Sequence, residues 1–351
     1  LLPTQNICIE FDGSYWHKLI ALGITPHDLV LRKLSLSTLF KLLNILRKEK
    51  PDLIHTHGKG PGLYGRLLGW LLGIPVVHTF HGFQHKLLPV VQRWFYLFVE
   101  NVLTLLTRHH IFVGNGEKNK AKVLMFLNDS NSSVVNNGID LDSIQALPPA
   151  EEVLASLKLG PRESIKIFGT LSRVSPEKGL DILLEGFVEA AKRAPYIRLL
   201  VIGDCPGEHE KYIKMITQYI HENGLDDAVK ILGAREDALE ILKSIDFYIS
   251  PSRSEGLPYN LLEALAVGKP VMATDIPGNN DIIRKSVEGI LVPVNSARTL
   301  AHGILTLLEL GPEEQKAMRQ NGKVRIRDEF SLNLMSEKTF SIYKKVLEEV
   351  I

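Results

Sequence analysis

DFYISPSRSEGLPYNLLEALAVGKPVMAT (246–274) is the stretch that decides the fold. It opens on an apolar run, DFYIS, and closes on another, KPVMAT. Between them lie a polar loop, SRSEGL, and a helical pattern, PYNLLEALAV. Pro258 suits a first helical turn, where the missing N–H costs little. Gly268 suits the helix C-cap, with Pro270 just beyond. Strand, helix and strand in so short a span imply a parallel pair with a helix packed on one face.

The same alternation extends outward in both directions. Toward the C-terminus, EGILVPV reads as a further strand, with helices at about 278–284 and 297–309. Toward the N-terminus, IKIFGTLSR, IRLLVIGD and AVKILGA read as strands, separated by helices at about 179–193, 208–222 and 236–244. The first half repeats the theme. PDLIHTHG (51–58), PVVHTFHG (75–82), HHIFVGN (109–115) and SSVVNNGI (132–139) are strand candidates, with helical patterns at about 60–72, 87–107 and 116–127. Near-continuous apolar strands fit sheets covered on both faces. A polar, Pro-containing stretch, DLDSIQALPPAEEV, places the join of the two halves near 140–160. We therefore expect two doubly wound, Rossmann-like α/β domains at 1–148 and 149–330. An amphipathic helix over 331–351 follows the break at Phe330–Ser331.

Bulk properties narrow the function. The chain has 351 residues, 45% hydrophobic and 23% charged, with net charge +1. That balance is globular, and it argues against a nucleic-acid binder driven by bulk charge. Residues 1–150 are net basic at +5 and the remainder net acidic at −4, which suits an anionic membrane surface or a phosphorylated acceptor. Uneven solvated faces give the same pattern. Two cysteines, Cys8 and Cys205, form no disulfide framework and fit a reducing compartment. The longest apolar run, Leu67 to Val77, contains a proline and is too short for a membrane span of about 20 residues. No signal-peptide pattern is visible. A cytoplasmic protein, peripheral at the cytoplasmic face of a membrane, is the expected location.

The polar residues that follow the strand cores matter most. His55, His57, His78, His81, Asn115, Asn137, Arg173, Asp204, Ser252 and Thr274 are expected at carboxyl ends of strands, the edge where open α/β sheets bind ligands. The helix starting near Pro258 offers free N–H groups suited to a phosphate. Glu255 precedes this helix, and Glu263 lies about 7 Å further along its axis at 1.5 Å per residue. Two carboxylates at different depths suit hydroxyls at two places on one extended ligand. In GTLSRVSPEKGLDILLEGF (169–187), Arg173 and Lys178 flank a Ser-Pro turn at a second helix start. Two cations there could hold a diphosphate, Arg as a fork and Lys as a point charge. Surface solvation is the plainer reading of either cation alone.

Together these segments resemble the retaining glycosyltransferases of the GT-B fold, in particular the large family four, group 1 type. Glu255 and Glu263 match that family's Glu–seven residues–Glu element, inside E-G-L-P…L-L-E-A…G-K-P-V. Gly169 to Gly179 match its G-x-L-S-R-V-x-P-E-K-G element. HTHG, VVHTFHGF and NNGID look like its first-domain landmarks, in order. The resemblance implies two domains facing a cleft and transfer from a nucleotide diphosphate sugar to an acceptor hydroxyl, without metal or other cofactor. It implies that Arg173 and Lys178 bind the donor diphosphate, and that Glu255 contacts the donor sugar. The backbone of Gly256 and Leu257 would face phosphate and sugar, Glu263 would hold the ribose, and His81 would stand beside the donor sugar. His55 and His57 are candidates for the acceptor side. Lipid-linked or saccharide acceptors in polysaccharide or glycolipid assembly fit the family. That family opens on a strand and a glycine-rich loop. Neither is legible ahead of NICIEFDG, so the first domain reads as lacking both.

Rival readings share the same residues. An inverting transferase or an epimerase would use the same architecture. A catalytically impaired sugar-nucleotide binder or partner subunit would keep the donor motifs alone. Nine of the twelve histidines precede residue 111, and His55/His57 with His78/His81 could be metal ligands, although the resemblance implies no metal. Asp140-Leu-Asp142 has a metal-binding form, but a helix cap or turn is the plainer role. KLLPVVQRWFYLFVENVLTLLTRHH (86–110) could lie on a membrane through an aromatic face. A buried core helix is the simpler expectation, because its polar residues are sparse.

Overall fold

The structure is a computed structural model that describes residues 7–10, 16–31, 34–82 and 89–349. The chain forms two compact units. The first comprises Leu1–Phe112, Lys120–Val134 and Thr339–Ile351, and the second Val113–Asn119 and Val135–Lys338.

Among the described residues the first unit holds six strands: β1 (Ile7–Glu10), β2 (Thr25–Asp28), β3 (Ile54–His57), β4 (Val76–Phe80), β5 (His109–Phe112) and β6 (Ser132–Val134). β3 to β6 form one parallel sheet in sequence order. Every residue of β4 and β5 is buried, as expected for inner parallel strands covered on both sides. β1 and β2 pair in parallel as a separate two-stranded sheet. Ile7–Glu10, inside NICIEFDG, is a strand that went unread in the sequence. Four residues with turn-prone neighbours gave no apolar run long enough to read. The opening strand and glycine-rich loop sought ahead of NICIEFDG would fall on residues 1–6, which lie outside the described residues.

The helix Lys59–Leu72 packs closely on β3 and β4 because three glycines face them. A Cβ on Gly65 would press on Thr56, and one on Gly69 on Val76. A Cβ on Gly62 would crowd His78, which is buried within β4 rather than placed at its carboxyl end. That corrects the expectation for His78. Its Nδ1 shares a 2.7 Å hydrogen bond with the Thr56 hydroxyl.

The second unit has one six-stranded parallel sheet: β7 (Lys166–Leu171), β8 (Ile197–Ile202), β9 (Val229–Gly233), β10 (Phe247–Ser250), β11 (Val271–Thr274) and β12 (Gly289–Val292). The spatial order is β12-β11-β10-β7-β8-β9. The order therefore reverses between β7 and β10, which lie side by side with Phe247 opposite Phe168. This is the doubly wound pattern, and its switch point opens a crevice at the carboxyl ends of those two strands. Alternating side chains supply two core layers. Phe168, Leu199, Phe247 and Met272 pack against the helices Leu180–Arg193 and Ala297–Glu309. Ile167, Leu200, Tyr248 and Val271 pack against Leu261, Leu265, Ile326 and Phe330 on the other face.

The helix expected at 87–107 is Val90–Leu105, but it is not a core helix. Leu97, Glu100, Leu103 and Thr104 face inward, whereas Trp94, Phe95 and Phe98 are exposed. Glu100 is buried because it meets the fully buried Arg66 at 2.9 Å. Among the described residues no helix is long and apolar enough to cross a membrane.

Candidate functional site

The switch point of the second sheet gathers the residues singled out from the sequence. β7 runs into Ser172 and Arg173, a 3₁₀ turn at Pro176–Lys178, and the helix Leu180–Arg193. β10 runs into Pro251–Pro258 and the helix Tyr259–Ala266. Gly179 joins turn to helix at φ +70°, in the left-handed region, and a Cβ there would collide with the Pro251 carbonyl. Only glycine combines that backbone with that approach. The two motif segments therefore close on each other at this residue.

Lys178 Nζ donates to Glu255 Oε1 at 2.7 Å, and the Ser252 hydroxyl donates to the same oxygen, also at 2.7 Å. The pair is mostly buried, with side-chain exposures of 18% for Lys178 and 8% for Glu255. Both donors use Oε1, so Oε2 remains for another hydroxyl. Ser252 is fixed in turn, because Thr274 donates from its hydroxyl to the Ser252 carbonyl at 2.5 Å. Asn279 Nδ2 then donates to the Thr274 carbonyl at 3.0 Å. Arg253 donates from its backbone N–H to the Glu177 carbonyl at 2.8 Å and forks onto Asp181. Burial alone would push the Asp181 carboxyl up. Hydrogen bonds from Arg253 and Tyr212 outweigh it and hold the group below the usual carboxylate range. Arg253 and Asp181 went unnoticed in the sequence, and Ser252 was named only for its place at a strand end. The neighbouring opposite charges in the two motifs were visible, but nothing local set their register.

Arg173 stands apart. Its side chain is 58% exposed and, among the described residues, reaches only Glu177, at 4.0 Å. A surface contact of that kind contributes little, so the guanidinium is available to an anion. The N–H groups of Gly256 and Leu257 take no partner among the described residues, while Asn137 Nδ2 donates to the Leu257 carbonyl at 2.8 Å. Pro258 caps the helix rather than entering it, and no side chain satisfies the helix start. Such a start attracts an anion. Glu263 follows on this helix, and burial pushes its carboxyl up. No side chain among the described residues pairs with it.

In the first unit, three of the sequence candidates meet at the ends of β3 and β4. His55 and His57 share a face, with ring centroids 4.2 Å apart. His57 Nδ1 and His81 Nε2 are 2.9 Å apart, so one ring is the donor and the other the acceptor. His55 bonds through Nδ1 to the Tyr343 hydroxyl at 2.5 Å and through Nε2 to the Thr79 hydroxyl at 2.7 Å. Loss of surrounding water, then the neighbouring imidazoles, lowers His55 to about 3 and His57 to about 4. His81 is also lowered, by burial. The cluster is therefore neutral near pH 7. Among the described residues, no group of three His, Cys, Asp or Glu side chains is arranged to hold a metal. Asp140 is a helix cap, since its carboxylate accepts from the Ser143 N–H at 3.1 Å and hydroxyl at 2.6 Å.

Comparison with known proteins places this architecture. A glycosyltransferase from Rickettsia africae superposes with TM-score 0.83 at 22% identity, covering 98% of this chain and 90% of that one. The Anabaena HepE protein, solved with UDP and glucose, superposes with TM-score 0.85 at 19% identity, covering 97% and 91%. At these identities the likeness establishes the fold, two parallel-sheet α/β domains of the GT-B type. The family model described as Glycosyl transferases group 1 matches residues 156–325, and that described as Glycosyltransferase Family 4 matches residues 14–143. The chain belongs to the family four, group 1 glycosyltransferases. A relative in Escherichia coli, the UDP-Gal:alpha-D-GlcNAc-diphosphoundecaprenol alpha-1,3-galactosyltransferase, is 28% identical over 331 residues, covering 89% of this chain and 77% of that one. The alpha-monoglucosyldiacylglycerol synthase of Streptococcus pneumoniae is 28% identical over 283 residues, covering 78% and 62%.

Proposed function

We propose that the chain moves a sugar from a nucleoside diphosphate sugar to an acceptor hydroxyl, with retention of the anomeric configuration. The observation that carries this reading is the meeting of Lys178, Ser252 and Glu255 at the switch point, beside an unsatisfied helix start. Arg173 and Lys178 supply positive charge to the diphosphate, the first as a fork and the second as a point charge. The N–H groups of Gly256 and Leu257 add donors toward the phosphate and sugar. Glu263, deeper on its helix, accepts from ribose hydroxyls.

In the reaction, the bond from the anomeric carbon to the diphosphate oxygen breaks as the acceptor oxygen bonds to that carbon on the same face. The acceptor proton passes to the departing diphosphate. Lys178 and Arg173 stabilise the charge that develops there, so the chain's own cations, rather than a metal, meet the leaving group. Glu255, held by Lys178 and Ser252, accepts from a sugar hydroxyl through Oε2 and fixes the ring. His81 is assigned to the donor sugar's surroundings, and His55 and His57 to the acceptor side, on the family resemblance. The names of the Escherichia coli and Streptococcus pneumoniae relatives support a lipid-linked saccharide or a glycolipid as acceptor.

The test is to screen UDP-sugars against polyprenyl-diphosphate-linked sugars and diacylglycerol glycolipids, and to read the anomeric proton of the product by NMR. An α-linked product from an α-linked donor is expected. A β-linked product would sink the retaining claim.

A further inference from the structure

Glu255 stands on the loop between β10 and the helix Tyr259–Ala266. Lys178 and Ser252 both donate to its Oε1, so the direction of Oε2 depends on where Ser252 stands. The ladder of β10 does not decide that. Its last registered pair with β11 joins Ser250 to Ala273, two residues short of Ser252.

The end of β11 supplies what the ladder does not. Thr274, its last residue, donates from its hydroxyl to the Ser252 carbonyl at 2.5 Å. That hydroxyl accepts in turn from Asn279 Nδ2 at 3.2 Å, and the same nitrogen donates to the Thr274 carbonyl at 3.0 Å. A hydroxyl has one proton, so with Asn279 donating to it the Thr274 proton is committed to Ser252. The turn of the Asn279 amide is set as well, because a carbonyl oxygen only accepts. Thr274 and Asn279 are wholly buried and Ser252 is 2% exposed, so water does not compete for these bonds. Hydrogen bonds strengthen in such surroundings, and a missing partner is costly.

A second contact backs the same loop. Gly278 has φ +94°, in the left-handed region, and a Cβ there would stand 2.5 Å from the Gly256 carbonyl oxygen and 3.2 Å from that of Glu255. The segment after β11 therefore meets the carboxylate loop at both ends, at Ser252 and at Gly256.

We infer that Thr274 and Asn279 are positioning residues for sugar transfer, acting through the Ser252 backbone to aim the Glu255 carboxylate at the donor sugar. The inference rests on the donor-site reading and adds two buried residues to it.

The experiment is steady-state kinetics of the full chain with the donor and acceptor found by the UDP-sugar screen. Calorimetry with the free nucleoside diphosphate runs beside it, and its binding stoichiometry counts folded sites. Thr274→Val keeps the shape and removes the hydroxyl. We expect kcat to fall by about tenfold, with KM for the nucleotide sugar and the affinity and stoichiometry of the nucleoside diphosphate within about twofold of wild type. Thr274→Ser restores the hydroxyl and should recover most of kcat. Asn279→Ala releases the Thr274 proton and should also lower kcat, which carries the test if Thr274→Val does not fold. Wild-type kcat in the Val or Ala variant would overturn the inference. So would equal losses in Thr274→Val and Thr274→Ser, or a fall in binding stoichiometry that matches the fall in kcat. Glu255→Ala is assayed alongside. Normal turnover there would remove the donor-site reading itself, whereas an inactive Glu255→Ala beside an unimpaired Thr274→Val would remove the positioning role alone.

Discussion

Arg253 forks onto Asp181, Nη1 to Oδ1 and Nη2 to Oδ2, each at 2.8 Å. The fork ties the loop that carries Glu255 to the helix that follows Lys178. Its other bonds run to Asn295 and the Pro176 carbonyl, so one guanidinium braces three segments. Lysine cannot reproduce a planar fork. Arg253→Lys should therefore weaken nucleotide binding with a small change in melting temperature. Arg253→Ala should also destabilise the second unit by about 1–3 kcal/mol, the usual range for hydrogen bonds to charged groups. Calorimetry and thermal melts check both, and unchanged nucleotide affinity in each variant would contradict the bracing role.

Lys178 is assigned two tasks, holding Glu255 and neutralising diphosphate. Lys178→Ala should weaken nucleoside diphosphate binding by about 10- to 100-fold, the scale of one lost charge-assisted contact. The affinity for the nucleoside itself should change little. An equal loss for both ligands would place Lys178 away from the phosphates.

Gly179 has φ +70° and a Cβ would strike the Pro251 carbonyl. Gly179→Ala should cost about 1–2 kcal/mol from backbone strain alone, with the clash added. Thermal melts should show the loss in stability and calorimetry a weakened donor site. A variant as stable as wild type would mean that the turn tolerates a side chain.

Acid should destabilise the first unit through its buried imidazoles. Burial lowers His110 to about 3 and holds His78 well below the usual value, and His55 is at about 3. In the unfolded chain these rings titrate near about 6.5. Above that value neither state is protonated, and the contribution is fully present. Below it the unfolded chain binds protons that the fold refuses, so stability falls as pH drops from about 6.5 toward 3. Each ring contributes up to about 1.4 kcal/mol per pH unit in that window. His110 is fully buried beside the Thr104 backbone, and the loss of water dominates its titration. His110→Phe should therefore flatten the acid slope of the melting temperature, and an unchanged slope would remove His110 from this account.

Most of the second unit was legible because its strands are apolar on both faces and bounded by Gly and Pro. β10, the loop and the helix Tyr259–Ala266 follow the reading of 246–274 closely. The helix Pro312–Glu329 was missed because it buries only Met318, Gly322 and Ile326, too few to mark an apolar stripe. The exposure of Trp94, Phe95 and Phe98 was misjudged for the opposite reason. A helix apolar on nearly every side does not reveal which face is covered. Within the site, Glu255 and Lys178 were singled out for separate tasks. Their direct contact joins residues 77 positions apart, and only the strand order brings those segments together.

Replacing Glu255 tests the central claim most directly. In Glu255→Ala, sugar transfer from the preferred nucleotide sugar should fall by about 100-fold or more, because the loss is felt at the reacting ring. Binding of the free nucleoside diphosphate and the melting temperature should stay near wild type. Near-normal turnover in that variant would contradict the account.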